Sequence, residues 1–294
     1  EEGTVLSVDS GFIVYNERTY PNFIKLLNQL GVESQLTRMG FSVKSEKDNL
    51  EYAGHSLSGL FAQRHNLIRP SFLKILYGMV RFNSKARNDL PYLTPETTLG
   101  EYLNSKNYSK EFIMNYIIPI GAAIWSTVPY DMMGIPAIFF IRFFDNHGLL
   151  QIVDRPNWWV IKGGSKNYIE KMIVNFKDSI KLSSPVNKVT RNTNKVEIFY
   201  GRNSNDSDIF DKVIFSNHSD QALQILENPT KEENEILGSI KYQTNDAILH
   251  YDYSILPKRK RAWSSWNYLL DKDKKKPVSL TYNMNILQSL SSNR

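Results

Sequence analysis

Gly163-Gly164-Ser165-Lys166-Asn167-Tyr168-Ile169-Glu170-Lys171-Met172-Ile173-Val174-Asn175-Phe176 opens the stretch on which the fold turns, and Val213-Ile214-Phe215-Ser216-Asn217-His218 closes it. The glycine pair leads into a helix whose Ile169, Met172, Ile173 and Phe176 recur at helical spacing. Between the two ends lie Pro185-Val186-Asn187-Lys188-Val189 and the alternating Val196-Glu197-Ile198-Phe199-Tyr200. With the apolar Val213 to Phe215 they read as a three-stranded meander, its last turn rich in Asn, Asp and Ser. A new helix starts at Ser219 or Asp220.

Outward from this stretch the order stays mixed. Thr4 to Val8 reads as a short strand, followed by the irregular Asp9-Ser10-Gly11-Phe12. The next helix has Pro21 in its first turn, Phe23, Leu26, Leu27 and Leu30 on one face, and Gly31 past its end. Phe41 to Val43 and Leu50 to Tyr52 flank a charged turn at Glu46 to Asn49, the pattern of a hairpin. From Arg69 to Phe144 the period is helical, with a stripe of Phe72, Leu76, Met79 and Val80. Thr98-Leu99-Gly100-Glu101 is a capping box, and Ser109 and Asp131 stand where later helices need caps. The dense Ile138 to Phe144 run is core packing first and the wall of an apolar pocket second. Beyond the central stretch, Thr230-Lys231-Glu232-Glu233 repeats the capping box and Gly238 closes its helix. Ala247 to Tyr253, Ala262 to Leu269 and Val278 to Met284 read as strands.

Composition narrows the chemistry. With 294 residues and 41% apolar content, the chain has enough for about two domains with real cores. It has no cysteine, which excludes disulfides, thiolate metal sites, iron–sulfur ligation and a cysteine nucleophile. The formal charge of +6 permits an anionic partner without requiring one. Basic residues collect at Lys258-Arg259-Lys260-Arg261 and Lys272 to Lys276. Each run is either a solvated loop or a contact with an anionic lipid surface or acidic ligand. Nucleic acid is not expected, since no recognition helix or nucleic-acid motif accompanies the runs. Glu1-Glu2-Gly3 is acidic with no apolar run behind it, so no secretory leader is expected. Phe112 to Val128 contains Asn115, Pro119 and Gly121 and falls short of the ~20 residues of a span. It reads as buried helix broken at Pro119. The expected location is cytoplasmic, at most peripheral at the inner membrane face.

No familiar catalytic cluster stands out. The five histidines at 55, 65, 147, 218 and 250 lack metal-ligand spacing, and no metal is expected. Ser216, His218 and Asp220 are too close in one strand-to-helix turn to converge as a triad. Neither a Walker lysine motif nor a G-x-G-x-x-G loop occurs, so no dinucleotide fingerprint can be claimed. Gly163 to Ser219 nonetheless has the shape of the second half of a dinucleotide-binding domain. In open α/β sheets, ligands sit in the turn after a buried parallel strand, here Ser216-Asn217-His218.

At these residues a resemblance enters. Val8-Asp9-Ser10-Gly11-Phe12-Ile13-Val14-Tyr15-Asn16, continuing to Thr19-Tyr20-Pro21-Asn22, is similar to the D-x-G-F-x-V-Y-N-x-x-x-Y-P-N signature of a family of bacterial FAD-dependent oxidoreductases. These belong to the flavin-containing amine oxidase-like superfamily. The likeness continues in Gly121-Ala122-Ala123-Ile124-Trp125-Ser126-Thr127, in Arg142 to Leu150, in Gly163-Gly164-Ser165, in His218 to Leu223 and in Trp263 to Tyr268. It implies an α/β (α+β) fold: a partial FAD/NAD(P)-binding Rossmann-like domain interleaved with a substrate domain of helices and antiparallel sheet. The implied division gives residues 1–35 and 155–228 to the FAD-binding domain and residues 36–154 and 229–294 to the substrate domain. Family members begin with the G-x-G-x-x-G unit and end with a segment closing over the flavin. This sequence carries neither, so it resembles an interior fragment that by itself holds FAD weakly or not at all.

The resemblance also implies residue roles. Val186 stands where a main-chain amide and carbonyl read the adenine edge, or is an ordinary strand residue. Ser216 and Asn217 end the strand beside the cofactor. Gly11 and Phe12 pass near the flavin ring, where a residue without Cβ allows close approach. Tyr15 and Asn16 are neighbours of the reacting carbon or turn residues. Trp125, Asn146, His147, Trp266 and Asn267 line the substrate cavity or serve packing. In such enzymes the flavin accepts a hydride while the protein supplies orientation and an apolar cavity, so no catalytic dyad is needed. The implied substrate is a small-molecule amine or the C–C bond of a lipid-like chain. The alternative is a non-catalytic lipid or membrane-surface binding protein on the same fold.

Overall fold

The computed structural model describes residues 5–126, 131–151, 155–202, 206–270 and 279–290. The chain divides into two compact units, Glu1–Met172 with Ile248–Arg294, and Ile173–Ala247. In chain order the strands are β1 (Tyr15–Asn16), β2 (Ser34–Thr37), β3 (Phe41–Ser45), β4 (Leu50–Ala53), β5 (Trp158–Ile161), β6 (Val186–Arg191), β7 (Val196–Tyr200), β8 (Asp206–Phe210), β9 (Trp266–Leu270) and β10 (Ser279–Tyr282).

The larger unit holds two sheets. In the smaller one β5 lies between β1 and β2, antiparallel to both. The other runs β10-β9-β3-β4 and is antiparallel except where β3 meets β9. The hairpin of β3 and β4 forms as its sequence predicts, with Ser45 Oγ accepting from the Asp48 amide in the turn. β2 and β5 were not expected. In β2 the polar Ser34, Gln35 and Thr37 do not read as strand by alternation, and pairing with the apolar Trp158–Ile161 of β5 supplies what the pattern lacks.

Helices cover the second sheet. Pro70–Asp89 buries Phe72, Ile75, Phe82 and Ala86, whereas Val80, expected on that face, is 56% exposed. Gly78 lies where a Cβ would meet the Phe112 ring at 2.4 Å, so glycine sets how closely these helices approach. Phe82 touches Tyr102, Tyr108, Phe112, Phe140 and Phe144 at ring separations of 5.9–6.4 Å and stands at the centre of the main core. The Ile138 to Phe144 run is therefore core on one side, with Phe140 and Phe144 fully buried, while Phe139 is 50% exposed.

The break expected at Pro119 is absorbed differently. Lys110–Phe112, a π-helical turn Ile113–Ile117 and Ile118–Trp125 follow one another with helical backbone throughout. Proline has no N–H for the carbonyl four residues back, here Asn115. The buried Tyr52 hydroxyl donates to that carbonyl at 2.7 Å instead. Residues 127 and 128 of the expected helix lie outside the described residues. The Thr98–Glu101 box and the Ser109 cap are present. Asp131 opens a short 3-10 turn, and Pro136 caps Ala137–Asn146. No helix among the described residues is long and apolar enough to cross a membrane.

The smaller unit is the meander β6-β7-β8 with the helices Ser219–Ile225 and Lys231–Ser239. Its third strand is β8, not Val213 to Phe215. The polar residues expected to turn form the strand, because β8 is a mostly exposed edge where charge is tolerated. Ser207 donates to Glu197 across the pair, and Lys181 holds Asp208. Val213 to Phe215 is coil with Ile214 89% exposed, and Ala247 to Tyr253 is coil as well. Val5 to Val8 also forms no strand, and Thr4 lies outside the described residues. An apolar run becomes strand only beside a ladder, and these three meet none among the described residues. The helix after the glycine pair stops at Met172.

Candidate functional site

In the larger unit, the segment from Ser7 to Phe12 is welded to the Gly163-Gly164 turn. The Asp9 carboxylate accepts the Ser165 amide at 2.9 and 3.2 Å, and Ser165 Oγ donates to the Phe12 carbonyl at 3.3 Å. Gly163 and Gly164 hold φ of +78° and +94°, a region that favours glycine. At Gly164 a Cβ would press on Ser7 Cβ at 3.3 Å and Asp9 Oδ1 at 3.4 Å. The buried Gln288 completes the joint: its Oε1 accepts from the Asp9 amide at 3.0 Å, and its Nε2 donates to Asp9 Oδ2 at 3.3 Å. Sequence reasoning gave Asp9 no role and missed Gln288, whose only signal is spatial.

The welded segment carries Gly11 and Phe12 at its far end. Nothing lies within 4 Å of where a Gly11 Cβ would sit, so its backbone faces open space. Phe12 is 42% exposed and packs on Tyr20 and Phe23 at 5.8 and 5.3 Å. Tyr15 is buried in the same aromatic group and donates to Ser34 Oγ at 2.5 Å. Asn16 is fully buried, its Oδ1 accepting the Arg18 and Thr19 amides at 2.9 and 3.0 Å, which shapes the entry to the helix Pro21–Leu30. Asn16 Nδ2 is buried with no partner among the described residues.

The remaining expected residues of this unit fall on three elements, the helices Ile118–Trp125 and Ala137–Asn146 and the strand β9. Trp125, beside the left-handed Ser126, lies against Phe139, Phe140 and Phe143 at 5.0–5.5 Å. His147 stacks on Phe143 at 4.0 Å, with Nδ1 3.0 Å from the Phe143 carbonyl. Asn146 is exposed at the end of that helix. Phe143 thus joins Trp125 and His147 into one aromatic wall. On β9, Trp266 is half-buried against Tyr282. Asn267 is buried and fully engaged: Oδ1 accepts from Ser42 Oγ and the Ser264 amide, and Nδ2 donates to the Ser264 and Thr281 carbonyls. Its amide has no capacity left for a ligand.

Beside it, Ser264 Oγ is 2.9 Å from His55 Nδ1. Burial, and then the charge of Arg38, hold the His55 pKa below its ordinary value.

In the smaller unit, Val186 begins β6 at a bulge and is 40% exposed. Asn187 Nδ2 donates across the bulge to the Gly201 carbonyl at 2.6 Å. Ser216 and Asn217 are exposed in the coil before the helix Ser219–Ile225. His218 caps that helix and stacks on Tyr242 at 4.2 Å.

Solved structures share this architecture. Putrescine oxidase with putrescine bound matches with a TM-score of 0.57 and 14% identity, over 79% of this chain and 54% of that one. Cyclohexylamine oxidase from Brevibacterium oxydans matches at 0.56 and 14%, over 79% and 52%. A CLA-producing fatty acid isomerase from P. acnes matches at 0.53 and 10%, over 78% and 52%. These likenesses establish a shared fold, and the chain spans about half the length of the structures it matches. No curated protein matches in sequence. The family model for flavin containing amine oxidoreductases matches residues 2–271, nearly the whole sequence, and with the fold agreeing, the chain belongs to that family.

Proposed function

We propose that the protein containing these residues is an FAD-dependent oxidoreductase that takes a hydride from an amine or from a C–C bond of a lipid-like substrate. Bound flavin supplies the two-electron acceptor. The observation that carries the reading is Gly11, whose main chain faces open space while the Asp9–Ser165–Gln288 joint holds its segment in place. That arrangement fits a flat ring approaching the backbone. Residues 1–35 and 155–228 serve the cofactor and residues 36–154 and 229–294 the substrate. Gly11 and Phe12 flank the ring, Val186 reads the adenine edge with its main chain, and Ser216 and Asn217 border the cofactor.

Among the substrate residues, the buried Asn16 serves from behind, its Oδ1 holding the Arg18 and Thr19 amides that set the path of the chain into the helix Pro21–Leu30. Trp125 and His147 present an apolar wall that excludes water, with Asn146 at its rim; Trp266 adds aromatic surface, and the buried Tyr15 supports Phe23 beneath Phe12. Asn267 acts at one remove, by holding β9 and the Ser264 turn. A second reading, a non-catalytic binder of lipid surfaces, draws on the exposed Lys258 to Arg261 side chains.

The test is the visible spectrum of the purified gene product, followed by anaerobic addition of candidate amines and unsaturated fatty acids. Flavin bands at about 375 and 450 nm that bleach with one donor class support the enzyme. A folded, colourless protein overturns it and favours the binder.

A further inference from the structure

In the larger unit a cavity of about 790 Å³ lies among β2, the loop from Tyr253 to Trp263 and the segment from Asn283 to Leu290. That volume is within the range of about 300–1,000 Å³ typical of small-molecule sites. Its walls are fixed from behind. The buried Lys44 ammonium donates to the Ser254 and Leu256 carbonyls at 3.0 and 3.1 Å. The buried Glu51 carboxylate, opposite Lys44 on β4, accepts the Lys258 and Arg259 amides at 2.9 and 3.1 Å. Trp263 Nε1 donates to the Pro257 carbonyl at 2.7 Å, and the indole lies parallel to Tyr253 at 5.7 Å. Gln35 Nε2 donates to the Gln288 carbonyl at 2.9 Å, tying β2 to the segment from Asn283 to Leu290.

Two cations face this rigid hollow, Arg38 and Lys260. Neither pairs with a carboxylate among the described residues. Lys260 leans over the Trp263 ring at 5.7 Å, and the Arg38 charge is felt as far as His55. Clefts lined by one sign of charge concentrate the opposite sign. Leu36, Ile286 and the two aromatic faces supply apolar surface beside the charges.

We propose that this cavity binds a carboxylate-headed aliphatic chain, its head held by Arg38 and Lys260 and its carbons laid along Leu36, Ile286 and Trp263. The site does not rest on flavin binding, and its test contains no flavin, so either reading can fail alone. Decanoate is titrated calorimetrically into the full chain, beside decyl phosphate, 1-decanol and decyltrimethylammonium. Decanoate binds at one site, about tenfold or more tighter than the alcohol and the cation, and weakens as salt is raised. Above pH 6.5, where His55 is neutral in the folded and unfolded chain, Arg38→Gln with Lys260→Gln weakens it about tenfold or more without moving the thermal midpoint. Equal binding of 1-decanol, salt-independent affinity, or full affinity in the double variant overturns the proposal. Tighter binding of decyl phosphate overturns the carboxylate assignment.

Discussion

Tyr52 on β4 donates its hydroxyl to the Asn115 carbonyl at 2.7 Å, filling the position from which Pro119 removes an N–H. A buried carbonyl without a donor costs about 1–3 kcal/mol. Tyr52→Phe therefore lowers the unfolding free energy by about that amount. Pro119→Ala in the Tyr52→Phe background returns a main-chain donor and recovers part of the loss. Urea denaturation of the four members of the cycle checks this, and additive effects would disprove the coupling.

On the proposed function, Gly11 separates flavin binding from stability. With open space around its missing Cβ, Gly11→Val changes the unfolding free energy by no more than about 0.5 kcal/mol. The same branched side chain blocks approach to the backbone, so the variant of the flavin-loaded protein retains less flavin. Flavin content per chain by absorbance, read beside the thermal midpoint, decides the matter. A destabilised variant with normal flavin content contradicts both halves.

His55 makes stability depend on pH. Burial first, then Arg38, lower its folded-state pKa, so between that value and the ordinary 6.5 the unfolded chain holds more protons. Stability from this group is complete above 6.5 and is lost as the pH falls through the folded value. Urea midpoints on both sides of 6.5 fall less on acidification in His55→Gln than in the parent. Arg38→Gln narrows the window by removing the second cause.

Glu51 governs access to the tetrabasic run. Its carboxylate holds the Lys258 and Arg259 amides, which keeps the backbone of a trypsin-sensitive sequence pinned. Charge-assisted hydrogen bonds contribute about 1.5–3 kcal/mol. Glu51→Gln therefore raises the initial rate of tryptic cleavage at Lys258 to Arg261 on the order of tenfold. Gel electrophoresis with N-terminal sequencing of the fragments reads it. Cleavage elsewhere first would locate the weak point in another segment.

What was legible in the sequence is what short-range chemistry determines. Pro21, Gly31, Thr98 with Glu101, Ser109 and Thr230 with Glu233 mark helix ends that the structure keeps, because each acts within one turn. The hairpin of β3 and β4 follows for the same reason. Strand identity was less legible, since β8 is polar and forms while Val213 to Phe215 is apolar and does not. Pairing partners, not composition, decide that outcome. The site divides likewise. Gly11, Phe12 and the Gly163-Gly164 turn stood out as a motif. Their dependence on Asp9 and on Gln288, 279 residues away, required the folded chain. The two-cation hollow was also hidden, because Arg38 and Lys260 are distant in sequence and the segment leading to Lys260 is held by the buried Lys44 and Glu51 of another hairpin.

The bare Ile214, and Ile209 at 65% exposure on a polar edge strand, have a practical consequence. A strand with one open edge, as β8 has beyond its pairing with β7, can pair with like strands on other molecules. Raising the protein concentration therefore favours edge-to-edge pairing between molecules, and a charged residue in place of Ile209 removes that tendency while leaving the β7 side of the strand as it is.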